Sequence, residues 1–334
     1  MSIKDSILST VKQLKAETWY NLQHPEMDSE LRLDIALQLL TIIDWVHMRV
    51  GPDQCKLYKE AEKNNIHIMR PHFYSPLPIL SQLSNHIWDK EWNKGINWNE
   101  NVGLVLLKHI VKYSIEYKNL TDSRQFDIVH QGAFKHLDSA LYYALIRHFK
   151  PKKIIEVGAG HSTQIASLAC QKNGFGEIIA IEPNPKEFLK NGSIAALSLI
   201  QKPVQEISVD VFKQLDENDI LFIDSSHISK IGSDVNYLFL EVLPQLKKGV
   251  LIHIHDIFLP LSYPRRWVEE LDLFWNEQYI LHAFLIGNRD FEVLISNNYM
   301  VAKHPKRIAR LFDQSNKYNG LAGGSFWMRK KIKE

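Results

Sequence analysis

The stretch from Lys152 to Thr163, Lys-Lys-Ile-Ile-Glu-Val-Gly-Ala-Gly-His-Ser-Thr, constrains the fold of this chain more than any other. A short apolar run ends in the acid Glu156 and passes directly into a Gly-x-Gly bend at Gly158 and Gly160. Ser162 and Thr163 then stand where a helix would begin. A buried parallel strand that ends in glycines lets a ligand reach the backbone, which a side chain there would block. The helix behind it offers unsatisfied N–H groups and the positive end of its dipole. The pattern implies a nucleotide-type cofactor site. In the blander alternatives Glu156 is a structural or capping carboxylate and Ser162 a simple N-cap.

From Asp138 onward helices alternate with short apolar strands. Strands are expected at Lys153–Val157, Glu177–Ile181, Ser198–Gln201, Ile220–Ile223 and Val250–His255. Helices are expected at Leu141–Phe149, Thr163–Gln171, Pro185–Leu197, Val209–Leu215 and Ser233–Leu246. Such alternation specifies an α/β fold: a mostly parallel sheet, right-handed crossovers and helices on both faces. A long helix-like segment, Arg266–Leu285, precedes two more strand candidates, Phe291–Ile295 and Ser325–Arg329. The short Gly323-Gly324 approach suggests that this last pair returns antiparallel, giving seven strands. Residues 1–125 read instead as a mainly helical segment, with helices at Ile7–Trp19, Glu30–Val50 and Val102–Tyr117. The domain boundary is therefore expected near residue 125, with the α/β domain over 126–334.

Composition excludes several classes. A net charge of +2, with no basic stripe interleaved by aromatic residues, gives no case for nucleic acid. Two distant cysteines, Cys55 and Cys170, fit neither a disulfide scaffold nor a zinc ribbon and suit a reducing, cytoplasmic setting. The apolar run Leu31–Val50 carries Arg32, Asp34, Asp44 and Arg49, so spanning a bilayer would be costly. Its expected role is packing on the domain or on a second subunit, a face suited to a homodimer.

The loop also selects among cofactors. A dinucleotide fingerprint wants Gly or Ala where Thr163 stands, and no lysine follows the glycines as in a P-loop. Glu182 closes the next strand, where a carboxylate can accept both hydroxyls of a ribose. This fits an adenosine-bearing cofactor with a positive sulfonium.

From about Phe126 to the C-terminus the chain resembles the class I S-adenosylmethionine-dependent methyltransferases. Glu156-Val-Gly-Ala-Gly160 stands for their first motif, Glu182 for the ribose acid and Phe222-Ile-Asp-Ser-Ser-His227 for the fourth-strand motif. Within the class it most resembles small-molecule O-methyltransferases of the macrolide-sugar and surface-polysaccharide type. The resemblance implies a Rossmann-like methyltransferase fold, with S-adenosylmethionine held by Glu156, Gly158, Gly160, Ser162, Glu182 and Asp224. The expected acceptor is a saccharide or other small-molecule hydroxyl.

Such a hydroxyl titrates far above neutrality, so a base, a metal or both must assist its loss of a proton. Asp224 and Asp256 close neighbouring strands and would face one cleft as hard oxygen ligands for magnesium or manganese. His227, three residues beyond Asp224, is placed as the general base, as in the metal-dependent sugar enzymes of this class. Those relatives usually carry two adjacent acids at the fifth strand, where this chain has His255-Asp256. His253 and His255 share a side of the strand, so one of them is expected to be buried. Arg265 and Arg266 either grip an anionic substrate or form a surface pair. A non-catalytic cofactor-binding partner of a glycosyltransferase or scaffold stays open as an alternative, and the cleft acids beside His227 argue against it.

Overall fold

The computed structural model describes residues 73–122, 134, 136–311 and 323–332, with isolated positions between 37 and 67. The chain divides into two compact units, Met1–Leu77 and Pro78–Glu334. In the first, Phe73 and Tyr74 meet edge to face with ring centroids 5.1 Å apart. The expected helix at 7–19 and all of 30–50 but Leu37 lie outside the described residues, and so does most of the face suited to a homodimer.

The second unit is built on seven strands: β1 Lys153–Val157, β2 Glu177–Ile181, β3 Leu197–Ile200, β4 Ile220–Ile223, β5 Leu251–Ile254, β6 Phe291–Ser296 and β7 Phe326–Lys330. Their order across the sheet is β3-β2-β1-β4-β5-β7-β6. The first five pair in parallel, and β7 runs antiparallel to both β5 and β6. This is the expected Rossmann-like arrangement with its antiparallel last strand. The main helices are α1 Glu100–Asp122, α2 His136–Phe149, α3 His161–Asn173, α4 Asp234–Tyr237, α5 Arg265–Glu269, α6 Glu277–Leu285, α7 Asn297–Lys303 and α8 Pro305–Leu311. A π turn at Leu238–Val242 extends α4.

Strand alternation sorts the core into two layers. Ile154, Phe222, Leu251 and Trp327 join one layer, with Leu107 of α1, Leu145 of α2 and Ile165 of α3. Ile155, Val157, Leu221, Ile223 and Ile254 join the other, with Phe239 and Leu281. Glu156 lies two residues past Ile154 and so falls on the α2 side, with no exposed surface. A carboxylate there needs a partner.

Two expected helices are interrupted. Pro185–Leu197 keeps only the turn Glu187–Lys190, because Gly192 and Ala196 take positive φ and reverse the chain. Arg266–Leu285 splits into α5 and α6 around Asp272, also at positive φ. That break places the N-terminus of α6 against the end of β4.

Candidate active site

The strand order reverses between β1 and β4, where open α/β sheets leave a crevice at their carboxyl ends. A cleft of about 550 Å³ lies there, lined by Gly158, Gly160, Ser162, Glu182, Asp224 and Asp256 among others. A wider hollow of about 800 Å³ at the β3 edge is lined by residues such as Phe175, Ile194 and Leu197 and gathers no cluster of ionisable groups. The ionisable groups gather at the smaller cleft.

The glycine bend is shaped by how closely β1 and β4 approach. Asp224 donates its N–H to Val157 O at 2.8 Å, and a Cβ on Gly158 would sit 1.8 Å from Asp224 O. Gly158 also takes φ +81°, so glycine is required there on both counts. Gly160 differs: a Cβ there would meet nothing within 4 Å. It borders open space in the cleft, the kind of cradle that an approaching ligand fills.

Glu182 sits at the end of β2, half-buried. Its carboxylate accepts from Ala159 N at 3.3 Å and from Asn184 N at 2.8 Å, tying the glycine bend to the next turn. Glu156 is reached by the Tyr142 hydroxyl at 3.1 Å, while its Oε2 is buried with no hydrogen-bond partner among the described residues. Burial pushes its carboxyl up to about 7, against the pull of the Thr163, Tyr142 and Ser162 hydroxyls.

Three of the expected residues converge. His227 Nε2 lies 3.3 Å from Asp224 Oδ1 and 3.6 Å from Asp256 Oδ2. One ligand atom from each of the three falls within 4.8 Å of the others, a grouping that could hold a metal ion. Two carboxylate oxygens and an imidazole nitrogen suit a hard to borderline cation such as manganese or magnesium.

A fourth residue, Glu277, was not anticipated. Fully buried at the first position of α6, it accepts from His227 Nδ1 at 2.9 Å and from Ser225 Oγ at 3.2 Å. Meanwhile the N–H groups of Asn276 and Glu277 both donate to His227 O. The N-terminus of α6 thus grips both the main chain and the ring of His227. An acid in the first turn of a helix ordinarily reads as a solvated dipole partner, so its spacing carries no signal of this contact.

The charges are strongly coupled. Burial favours neutral His227, but its bonds to Asp224 and Glu277 outweigh this and carry it up to about 10. Burial likewise raises Asp224, yet the adjacent His255 and His227 hold it below the ordinary aspartate range. For Asp256 and Glu277 burial prevails and both carboxyls are raised.

His253 and His255 are both buried. His253 bonds Ser325 Oγ at 2.9 Å inside the sheet, while His255 lines the cleft with its Nε2 3.7 Å from Asp256 Oδ1. Asp256 and His227 both occupy the left-handed region, at φ +55° and +61°. Gly324 O holds the main chain of Asp256 by accepting from Ile257 N, and buried Asp138 receives Gly324 N, Ser325 N and Asn297 Nδ2. Arg265 and Arg266 pair along α5 with Glu269 and Glu270, at 2.7 and 3.0 Å, and stay largely exposed. No helix among the described residues is long and apolar enough to cross a membrane.

Comparison with known proteins agrees with this geometry. Residues 155–257, from inside β1 to just past Asp256, match the family described as Methyltransferase domain. An uncharacterized protein of Archaeoglobus fulgidus is 30% identical over 165 residues, covering 45% of this chain and 74% of that protein. Among solved structures, the O-methyltransferase from Bacillus cereus in complex with SAH is 10% identical, with a TM-score of 0.38 and coverage of 67% of this chain and 89% of its own. A methyltransferase from Geobacter sulfurreducens is 15% identical, with a TM-score of 0.35 and coverage of 66% and 90%. The two structures are too distant to bear on the site, which rests on the geometry above. Strand order, glycine bend and matched segment coincide, and the chain belongs to the methyltransferase-domain family.

Proposed function

We propose that this protein is an S-adenosylmethionine-dependent O-methyltransferase acting on a hydroxyl of a saccharide or other small molecule. One observation carries the reading: a single cleft joins the open glycine bend and Glu182 to the Asp224–His227–Asp256 cluster. Glu182 closes β2 and Asp256 follows β5, so the two acids stand roughly 14 Å apart, three strand spacings. Glu182 holds the ribose, the bend from Gly158 to Ser162 takes the methionine portion, and Asp224 borders the reacting centre. When bound there, the donor would supply an electrophilic methyl group, its sulfonium being released as a neutral thioether. The acceptor oxygen forms the new C–O bond as the S–CH₃ bond breaks, and its proton must go to a protein group.

We assign that role to His227, which meets Asp224 and Asp256 at the edge of the cleft and whose ring Glu277 orients. In the arrangement described above, His227 rests as an imidazolium at neutral pH. It can accept a proton only when the negative charge of Asp224 and Asp256 is offset. A divalent cation on those two carboxylates would supply that offset and lower the acceptor pKa.

Titration calorimetry with S-adenosylhomocysteine tests the donor site. Binding is expected, weakened at least about tenfold by Glu182→Ala. No heat at about 1 mM ligand, or an unchanged affinity in the variant, would remove the assignment.

A further inference from the structure

The acceptor end of the cleft is more distinctive than the donor end. Past Asp256 it is walled by Phe258 and by Trp267 of α5. Trp267 is half-buried and held by two nearly perpendicular aromatic contacts, to Phe258 at 5.0 Å and to Trp275 at 5.2 Å. Trp275 in turn lies 4.2 Å from the His227 ring. The aromatic chain Phe258–Trp267–Trp275 therefore runs from the cleft wall to the ionisable cluster. An indole needed only as core filling would be covered, whereas this one lines the open cleft.

Charge narrows the ligand further. The groups beside this wall are the carboxylates Asp224 and Asp256, with Glu277 behind them, and the imidazoles of His227 and His255 are each engaged by these acids. The nearby arginines are committed to Glu269 and Glu270 on the outer face of α5. Lys186 also lines the cleft, but it follows Glu182, on the donor side. Among the described residues, an anionic ring would meet carboxylates and acid-paired imidazoles here, with no guanidinium to receive it. The site instead suits a ring with an apolar C–H face for the indole and hydroxyls for the acids. The partial positive charge of such C–H groups complements the negative face of the aromatic quadrupole.

Resting on the methyltransferase reading above, we infer that Trp267 is the stacking platform for the acceptor and that the acceptor is an uncharged pyranose ring. The test uses the whole chain. S-adenosylhomocysteine binding is measured first, by calorimetry. Transfer of labelled methyl is then assayed on uncharged methyl pyranosides of gluco, galacto, manno and rhamno configuration, on the matching uronic acids and on catechol. At least one uncharged pyranoside is expected to be methylated, with kcat/KM at least about tenfold above any uronate or catechol.

Trp267→Ala is expected to raise KM for that sugar about tenfold, with kcat and S-adenosylhomocysteine affinity within about twofold. Trp267→Phe should recover most of the loss, and retained ligand affinity shows that each variant is folded. Donor binding without transfer to any uncharged pyranoside overturns the inference. Preference for a uronate or catechol, or an unmoved KM in Trp267→Ala, does the same. Failure of the wild-type protein to bind S-adenosylhomocysteine sinks the donor reading, and this inference with it.

Discussion

The two glycines of the bend allow a test that separates folding from ligand space. At Gly158 an added methyl group faces two penalties. A side chain at φ +81° costs about 1–2 kcal/mol, and relieving a 1.8 Å contact with Asp224 O by shifting backbone costs about 1–3 kcal/mol more. Gly158→Ala should therefore destabilise the protein by about 2–5 kcal/mol and lower Tm by roughly 4–20 °C, given about 2–4 °C per kcal/mol for a unit of this size. At Gly160 the same methyl group meets nothing, so stability should stay within about 1 kcal/mol of wild type. It intrudes only on space that the donor is proposed to occupy. Crowding of that kind costs about 1–3 kcal/mol, or roughly 5- to 150-fold in affinity. Differential scanning calorimetry and titration with S-adenosylhomocysteine read the two effects separately. A Gly160→Ala protein that binds within about twofold of wild type would show that the donor does not lie on the bend. A Tm falling as far as that of Gly158→Ala would show that the space is not open.

Other outcomes follow from the ionisable cluster and its supports. His227→Ala should cut turnover at least about tenfold while leaving donor affinity intact, and unchanged turnover would remove its role in proton transfer. His227 is held at about 10 against an ordinary 6.5, so its stabilising contribution is complete below about pH 6.5 and is lost as pH rises towards 10. His227→Gln should accordingly flatten the fall of Tm over that window, and superimposable profiles would contradict the ion-paired arrangement. Asp138→Ala orphans three donors and should cost about 3–5 kcal/mol, read as a lower denaturant midpoint at unchanged m-value. Exhaustive chelation should abolish transfer and added manganese or magnesium restore it, whereas full activity in chelator would remove the metal from the proposal.

The sheet was the most legible part of the chain. β1, β2 and β4 match their expected limits residue for residue, because a strand covered on both faces is a nearly continuous apolar run between polar or glycine ends, broken inside β1 only by Glu156. At the half-exposed edge the pattern loosens, and β3 begins one residue earlier than expected, at Leu197. Helix breaks were harder to see. Nothing in the periodicity of Arg266–Leu285 marks the left-handed Asp272 that divides it. The site shows the same division. Asp224, His227 and Asp256 were readable because strand ends in this topology share one edge, and the structure brings them together. Glu277 and Asp138 were not, since each lies in the first turn of a helix, where an acid ordinarily faces water. Their partners are set by how layers dock, which local spacing does not encode. Sequence likewise left the arginines of α5 open as substrate ligands, and only the pairing with Glu269 and Glu270 directs them elsewhere.

The positive φ angle at Asp256 sets a trap for anyone hardening this protein against heat. Glycine there would relieve a backbone conformation that costs a side chain about 1 kcal/mol, and it would remove a carboxyl whose charged form burial disfavours. A screen scored on melting temperature alone is therefore expected to enrich a replacement that strips the cleft of one of its acids. Selection for durability and selection for turnover pull in opposite directions at this residue, and a library made to improve the first should hold it fixed.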